Sequence, residues 1–423
     1  MRSIYFILFF GITILFWSCK KTDHQIIASN IQSFKLINED KNFMPLQCCA
    51  GKNGCLTSFL DDSAKIQFEF VDFQGRVKWK MHLPFEYEMF GITHNGDSLF
   101  TVFGWLDSVI SSAGLIQVSE KGTVVMKNFS ANMNGLLYVS VSGSNFFIRG
   151  IKQLDNGNYL AFGHTYLSSG ADAYLRVFTS ANTAIGICWF PISNFENVIA
   201  TDVIKLRNGG YAVFGSAYNN TNTPLNCFVA HLDDNFHLVW EKHCPISDTI
   251  TSTLLNYPYD FTRELYENED GSLIGIVNGY LQNHQIELIK FSSDGVLIDS
   301  LIIPNDYGYI ISGRSELYIG INNYQFRNDC VATVQNTDRN INLLITANPD
   351  MFQYGQTLTV TPNNHTVIAV VDQNLNLISR TPFQSFYSDC VNSAFVTLDN
   401  KVGYYGTMNR FGQASTPFIL IDN

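Results

Sequence analysis

The chain has 423 residues, enough for one large core or two domains, with 46% hydrophobic and only 15% charged residues. Its 37 acids against 26 lysines and arginines leave a net charge of −11, which argues against a nucleic-acid surface and a polybasic membrane patch. Phe (33) and Tyr (20) abound, a mix that favours strands over helices.

In chain order, the first element is the apolar run "IYFILFFGITILFW" (4–17), with Arg2 the only charge before it. As a helix it reaches about 21 Å, short of the roughly 30 Å hydrocarbon layer, so it suits a secretory leader better than an anchor helix. It ends at Ser18-Cys19, followed by Lys20 and Lys21. A small residue before a cysteine at this place resembles the lipobox of bacterial lipoproteins, with Phe16 where that family usually has Leu. The resemblance implies cleavage by signal peptidase II before Cys19, whose thiol accepts diacylglycerol. Residues 1–18 are then a signal peptide, 19–30 a lipidated polar tether, and 31–423 the folded domain. At about 0.8 kcal/mol per buried methylene, several acyl chains hold a protein on a bilayer. The first expected partner is therefore the membrane, through the lipid on Cys19. Lys20 stands where an Asp would favour inner-membrane retention, so the expected place is the outer membrane or cell surface of a Gram-negative bacterium. No later stretch reaches 18 continuous apolar residues.

Export makes disulfides possible for the eight cysteines that follow Cys19. Cys48 or Cys49 with Cys55, across "AGKNG", is the best local pair, and Cys49 with Cys55 is taken as the candidate. The same cluster matches no common zinc spacing and has no histidine near it, so no metal is expected.

Internal repeats decide the fold class. "THNGDSLFTVFGW" (93–105), "QLDNGNYLAFGHT" (153–165), "KLRNGGYAVFGSA" (205–217) and "TLDNKVGYYGTMN" (397–409) share an Asn/Asp/Gly turn, an alternating apolar strand and a Gly. "ENEDGSLIGIVNGY" (267–280) is a looser copy. Each is a hairpin, because Asn-Gly and Asp-Gly supply the positive φ of a tight turn. A second hairpin follows in "IQFEFVDFQGRVKWKMHLP" (66–84), "FVAHLDDNFHLVWEKHCP" (228–245) and "IELIKFSSDGVLIDSLIIP" (286–304), each closing on proline. Proline lacks a ladder donor and is expected to stop the fourth strand. First-hairpin turns fall near Asn53, Gly96, Asn156, Asn208, Asp270, Thr337 and Asn400. Units end at Pro84, about Ser130, Pro191, Pro245, Pro304 and Pro382.

Two hairpins make a four-stranded antiparallel sheet, and radial repetition of such sheets describes a β-propeller. The pattern resembles the degenerate propeller repeats of exported bacterial proteins. The expectation is an all-β, seven-bladed propeller, with eight blades possible because 305–382 is long and holds an extra run, "SELYIGINNY". The last unit stops after three strands at Asn423, while "NIQSFKLIN" (30–38) is a strand without a partner. Donating it to the last unit would close the ring and remove an exposed edge. A pair of β-sandwiches is the rival fold.

Aromatics follow the repeat's Gly on the face opposite the hairpin turns: Trp105, Tyr166, Tyr218, Tyr280 and Phe411. Flat side chains among Asn, Gln and Ser suit stacking on sugars or gripping peptides, and they equally suit packing between blades. The acids of "ENEDG" and Asp233-Asp234 fall in hairpin turns, and neither a nucleophile elbow nor a phosphate loop is present, so no catalytic residue or cofactor is assigned. The expected function is a non-enzymatic, lipid-anchored binding or scaffold module for a protein or glycan. The alternative is an envelope polysaccharide-active enzyme with carboxylates in a central pocket.

Overall fold

A computed structural model describes residues 33–36, 44–60, 65–94, 98–106, 113–129, 145–154, 156–167, 170–179, 184–190, 195–219, 224–249, 262–278, 286–303, 319–320, 323–324, 333–346, 366–383, 388–397, 399–409 and 415–421. Every regular element among them is a β-strand. Strand β1 is Ser33–Leu36. The first quartet is β2 Met44–Ala50, β3 Gly54–Leu60, β4 Lys65–Asp72 and β5 Val77–His94. The second reuses β5 with β6 Leu99–Leu106, β7 Ala113–Ser119 and β8 Val124–Phe129. The third is β9 Asn145–Gln153, β10 Tyr159–Leu167, β11 Gly170–Phe178 and β12 Ala184–Phe190. The fourth is β13 Asn197–Lys205, β14 Tyr211–Tyr218, β15 Pro224–Leu232 and β16 Leu238–Thr249. The fifth is β17 Thr262–Glu267, β18 Leu273–Asn278, β19 Ile286–Phe291 and β20 Leu297–Ile303. A two-residue ladder follows, β21 Ile319–Gly320 with β22 Asn323–Tyr324. The next quartet is β23 Thr333–Gln335, β24 Ile341–Thr346, β25 Thr366–Val371 and β26 Leu377–Phe383. The last strands are β27 Ser388–Val396, β28 Val402–Asn409 and β29 Ser415–Ile421.

Within each quartet, consecutive strands pair antiparallel. The last three strands take β1 as their fourth, with Ser33 opposite Ile421 and Leu36 opposite Phe418. The N-terminal strand thus completes the C-terminal sheet. Their neighbour is the first quartet: Cys48, Cys55 and Val71 share a buried cluster with Phe395, Tyr405 and Ile419. Two hydrogen bonds reinforce the contact, from Ser393 Oγ to the Cys48 carbonyl (3.3 Å) and from Tyr405 Oη to the Ser58 carbonyl (3.4 Å).

One turn geometry recurs at both hairpins. The first residue's N–H donates to the fifth residue's carbonyl, and the fourth residue's N–H donates back to the first residue's carbonyl, as in 72–76, 119–123, 206–210, 233–237, 292–296, 372–376 and 397–401. The fourth position needs a positive φ. Gly209 (φ 92°) takes it freely, whereas Phe236 (64°), Arg339 (64°) and Leu375 (61°) are held there against their preference. Where the first position is a short polar residue, its side chain can accept the fifth residue's N–H, as Asp233 does from His237 (2.8 Å) and Asp372 from Asn376 (2.8 Å); at 154–158 and 206–210 the first residue is leucine. Both turns of a quartet lie at one end of the sheet, and the link between its second and third strands lies at the other.

Proline does not end the strands as the sequence suggests. Pro191 and Pro304 do follow β12 and β20, but Pro245 lies inside β16 and Pro382 inside β26. Both of those strands are outermost in their quartets, where a missing N–H need break no ladder bond. Pro84 lies inside β5, between the stretch paired with β4 and the stretch paired with β6, where the register is irregular.

Glycines of the second strands make room for aromatic rings, Gly275 for one from the neighbouring sheet and Gly215, at the repeat's position, for one from its own. A Cβ on Gly275 would stand 2.4 Å from Phe214 Cζ, and one on Gly215 would meet the Ile199 carbonyl and Phe228. Phe214 belongs to a core cluster with Ile199, Cys227 and Val229 of its own quartet and Leu265, Leu273 and Ile289 of the next.

Candidate functional site

The candidate aromatics are distributed unevenly. Trp105, Tyr166 and Tyr218 occupy equivalent places, at the link end of the second strands β6, β10 and β14. Tyr218 is 1% exposed and packs with Ile199, Cys227 and Ile246. Its role is packing between sheets, because the neighbouring sheet covers the end of β14; it is not a stacking platform. Tyr280, Phe411 and Cys19 lie outside the described residues.

Cys49 and Cys55 are free thiols, and the expected pair is corrected by strand alternation. Cys55 stands opposite Ala50, and Cys49 opposite Leu56, so the two thiols point to opposite faces. Cys48 and Cys55 share a face and a cluster, while Cys49 packs against the cluster of Leu56 and Phe68 on the other side. Burial pushes the Cys49 thiol up to about 12.

The acids singled out by the sequence work as turn struts. Glu267 accepts the Arg207 N–H (3.1 Å) and so ties adjacent quartets. Asp270 accepts from Ser272, first through its hydroxyl (2.5 Å) and then its N–H (2.9 Å), which holds the carboxyl below its ordinary range. Asp234 is held low by the Lys205 ammonium and the Gly210 N–H.

Two polar features escaped sequence reasoning. The first is a cleft of about 200 Å³ between the third and fourth quartets, lined by Lys152, Asn156, Leu160, Val203, Lys205 and Tyr211. Lys205 lies 4.4 Å from the Tyr211 ring centroid and pairs with Asp234. Lys152 pairs with Asp202 (2.5 Å). Both ammonium groups are answered by carboxylates, and the volume is below the 300 Å³ or so of ordinary ligand pockets. The cleft suits a few waters or a small polar group rather than bond-making chemistry.

Asp202 itself joins three quartets. It is 5% exposed, at a bulge in β13, and takes Lys152 of β9, the Leu265 N–H of β17 (2.9 Å) and the Val203 N–H (2.8 Å). An acid within the apolar run "NVIATDVIK" is the only sequence signal for it.

The second feature is a basic and phenolic set on β9–β11, buried His164 and Tyr174 with half-buried Arg149 and Arg176. Burial, then the nearby Arg149 guanidinium, hold His164 well below its usual range. Burial pushes the Tyr174 phenol up against the pull of Arg176 and Arg149. At neutral pH this set is a neutral imidazole and an un-ionised phenol between two guanidinium groups.

No protein-family model matches the chain, and no curated protein matches it. Among solved structures, a protein of unknown function from Dyadobacter fermentans aligns over 92% of this chain and 98% of its own, at 10% identity and a TM-score of 0.43. The WD40 domain of SCAP from fission yeast aligns over 93% and 98%, at 7% identity and a TM-score of 0.37. The architecture of this chain is argued from its own strands: an all-β protein built from four-stranded antiparallel sheets.

Proposed function

We propose that the chain is a lipid-anchored, seven-bladed β-propeller that serves as a binding or scaffold module for a protein or glycan at the bacterial envelope. The observation that carries the architecture is the pairing of β1 with β29, together with the packing of the first quartet on the last. Seven quartets with β5 counted in two of them, tied at their turns between the fourth and fifth (Arg207 to Glu267) and the sixth and seventh (Thr337 to Asn400), suit a closed toroid. Among its described residues, the stretch 305–382 contributes one quartet and a two-residue ladder, which favours seven over eight.

A binding role follows from how the polar chemistry is spent. The turn carboxylates are occupied by turn and neighbour N–H groups, and the cleft lysines by carboxylates. Four-stranded sheets whose link-end segments differ in sequence from quartet to quartet are an arrangement suited to recognition. Export and lipidation rest on the leader and Cys19.

The anchor is tested in cells by palmitate labelling and fractionation: Cys19→Ala should lose the label and wash off diluted membranes that retain the parent chain, and unchanged retention after washing would refute it. The binding role is tested with the Cys19→Ala chain on purified envelope glycans and outer-membrane proteins. Saturable binding with the ligand recovered intact is expected; steady release of shortened glycan would favour the polysaccharide-active enzyme instead.

A further inference from the structure

Apolar side chains lie exposed at one end of the outer strands of three successive quartets. Leu238 and Val239 (56% exposed) begin β16, Leu297 and Ile298 (54%) begin β20, and Leu377 and Ile378 (55%) begin β26. Each pair directly follows a second hairpin turn, at 233–237, 292–296 and 372–376, so all six share the turn end. These quartets adjoin one another: β17 packs on β13 and β14, and Ile274 and Leu288 share a cluster with Leu343 and Ala369. Isolated exposed apolar residues are ordinary, but the same two positions repeated along one rim are not explained by packing.

The next place in that row belongs to β1. It is the outer strand of the last quartet, whose β27 lies against β23, β24 and β25. Its Ser33 stands opposite Ile421, and Ile421 is paired with Gly403, just beyond the first turn at 397–401. Ser33 therefore occupies the turn end, where Leu238, Leu297 and Leu377 begin the other outer strands. The chain upstream of Ser33 joins the sheet beside the apolar row. Residues 19–32 span at most roughly 50 Å when extended, so a bilayer holding the Cys19 lipid lies within that reach of the turn end.

We propose that the turn-end rim formed by Leu238, Val239, Leu297, Ile298, Leu377 and Ile378 rests in the interfacial layer of the bilayer that holds the Cys19 lipid. This rests on the lipid-anchor reading and adds an orientation to it: the turn end faces the membrane and the link-end loops face away, free for a partner. Tethering raises the local concentration of membrane, so individually weak apolar contacts suffice. Asp233, Asp294 and Asp372 share this end, so the rim favours zwitterionic over anionic lipid.

The test uses the lipidated full chain in phosphatidylethanolamine-rich vesicles carrying brominated acyl chains. Ile298→Trp is compared with Ile302→Trp, about 13 Å further along β20. Fluorescence added at 298 should be quenched at least threefold more strongly than that added at 302; equal quenching, or none at 298, overturns the proposal. Mass analysis of the Cys19 peptide from the same vesicles registers a missing lipid separately. A Cys19→Ala chain provides the second measurement. It should still sediment with vesicles at millimolar lipid, and Ile298→Asp with Ile378→Asp should cut the bound fraction at least fivefold. No sedimentation, an unchanged fraction, or a solution dimer dispersed by the two aspartates would each refute membrane contact at this rim.

Discussion

Replacing Asp202 by alanine should be among the most destabilising single changes to the domain. The substitution removes three interactions at once. The Leu265 N–H, on a residue 1% exposed, loses its acceptor and is left buried without a partner, which costs about 1–3 kcal/mol. The bond from the Val203 N–H accounts for about 1 kcal/mol more. Lys152 is 41% exposed and can turn to water, so its ion pair adds only about 0.5–1 kcal/mol. The sum is about 3–5 kcal/mol. With an unfolding entropy of about 2.1 cal/mol/K per residue over about 390 residues, Tm falls by roughly 4–6 °C. Lys152→Met should cost under about 1 kcal/mol, and Asp202→Asn should fall between the two because its amide oxygen still accepts from Leu265. Calorimetry of the Cys19→Ala chain, with tryptophan fluorescence in urea as a second probe, measures the series. An Asp202→Ala protein within about 0.5 kcal/mol of its parent would refute the claim that this carboxylate ties three quartets together.

Gly275→Ala should cost about 1–3 kcal/mol, because its Cβ would press into the Phe214 ring; urea midpoints check this, and an unchanged midpoint would refute the close approach of Phe214 to Gly275. The pH dependence has two windows. His164 has a folded pKa below its unfolded value near 6.5, so the unfolded state takes up the proton first and stability falls as pH drops below about 6.5, by at most about 1.4 kcal/mol per pH unit. His164→Gln should flatten that slope between pH 6.5 and 5 in urea titrations. Asp233 and Asp270 have depressed pKa values, so the stability they contribute is present above their unfolded value near 3.9 and is lost as pH falls below about 4. Burial keeps Cys48, Cys49 and Cys227 as thiols at pH 8, so iodoacetamide should label their peptides at least 100-fold more slowly in the native chain than in urea, as read by mass spectrometry.

The hairpins were legible because their chemistry is local. Turns expected near Asn156, Asn208, Asp270, Thr337 and Asn400 are closed by hydrogen bonds spanning 154–158, 206–210, 268–272, 336–340 and 397–401. Asn-Gly or Asp-Gly at the third and fourth positions marks three of them, at 156–157, 208–209 and 270–271, and Asn400 takes the fourth position of the last. The pairing of β1 with β29 was legible for a different reason: an unpartnered strand at one end of the chain and a three-stranded unit at the other are complementary defects. What the sequence obscured is whatever depends on neighbours distant along the chain. Asp202 reads as an isolated acid until β9 and β17 are brought beside it. Cys49 and Cys55 look like a pair by separation, but the side on which each thiol emerges depends on register. Tyr218 looks like a loop aromatic until the next sheet covers it.

The prolines carry the same lesson and bear on orientation. Proline ends a strand only where its missing N–H would break a ladder bond. On the outermost strand of a quartet that bond need not exist, so β16 and β26 run through Pro245 and Pro382. An outer strand is therefore under weak backbone constraint from within its own sheet and has only one neighbour to satisfy. Its side chains are free to answer to something outside the domain. β16 opens with exposed Leu238 and Val239 and, after Trp240, reaches half-buried Glu241 and exposed Lys242. β20 has Asp299 after Leu297-Ile298, and β26 has Arg380 after Leu377-Ile378. Each of the three outer strands thus reaches a charged residue within about four residues of its turn, and β20 exposes an apolar side chain again at Ile302 (40%). A uniform solvent would not sort residues by height along the strand. An interface whose plane lies parallel to the turn end would, and β1, by which the chain enters the domain, begins at that same end.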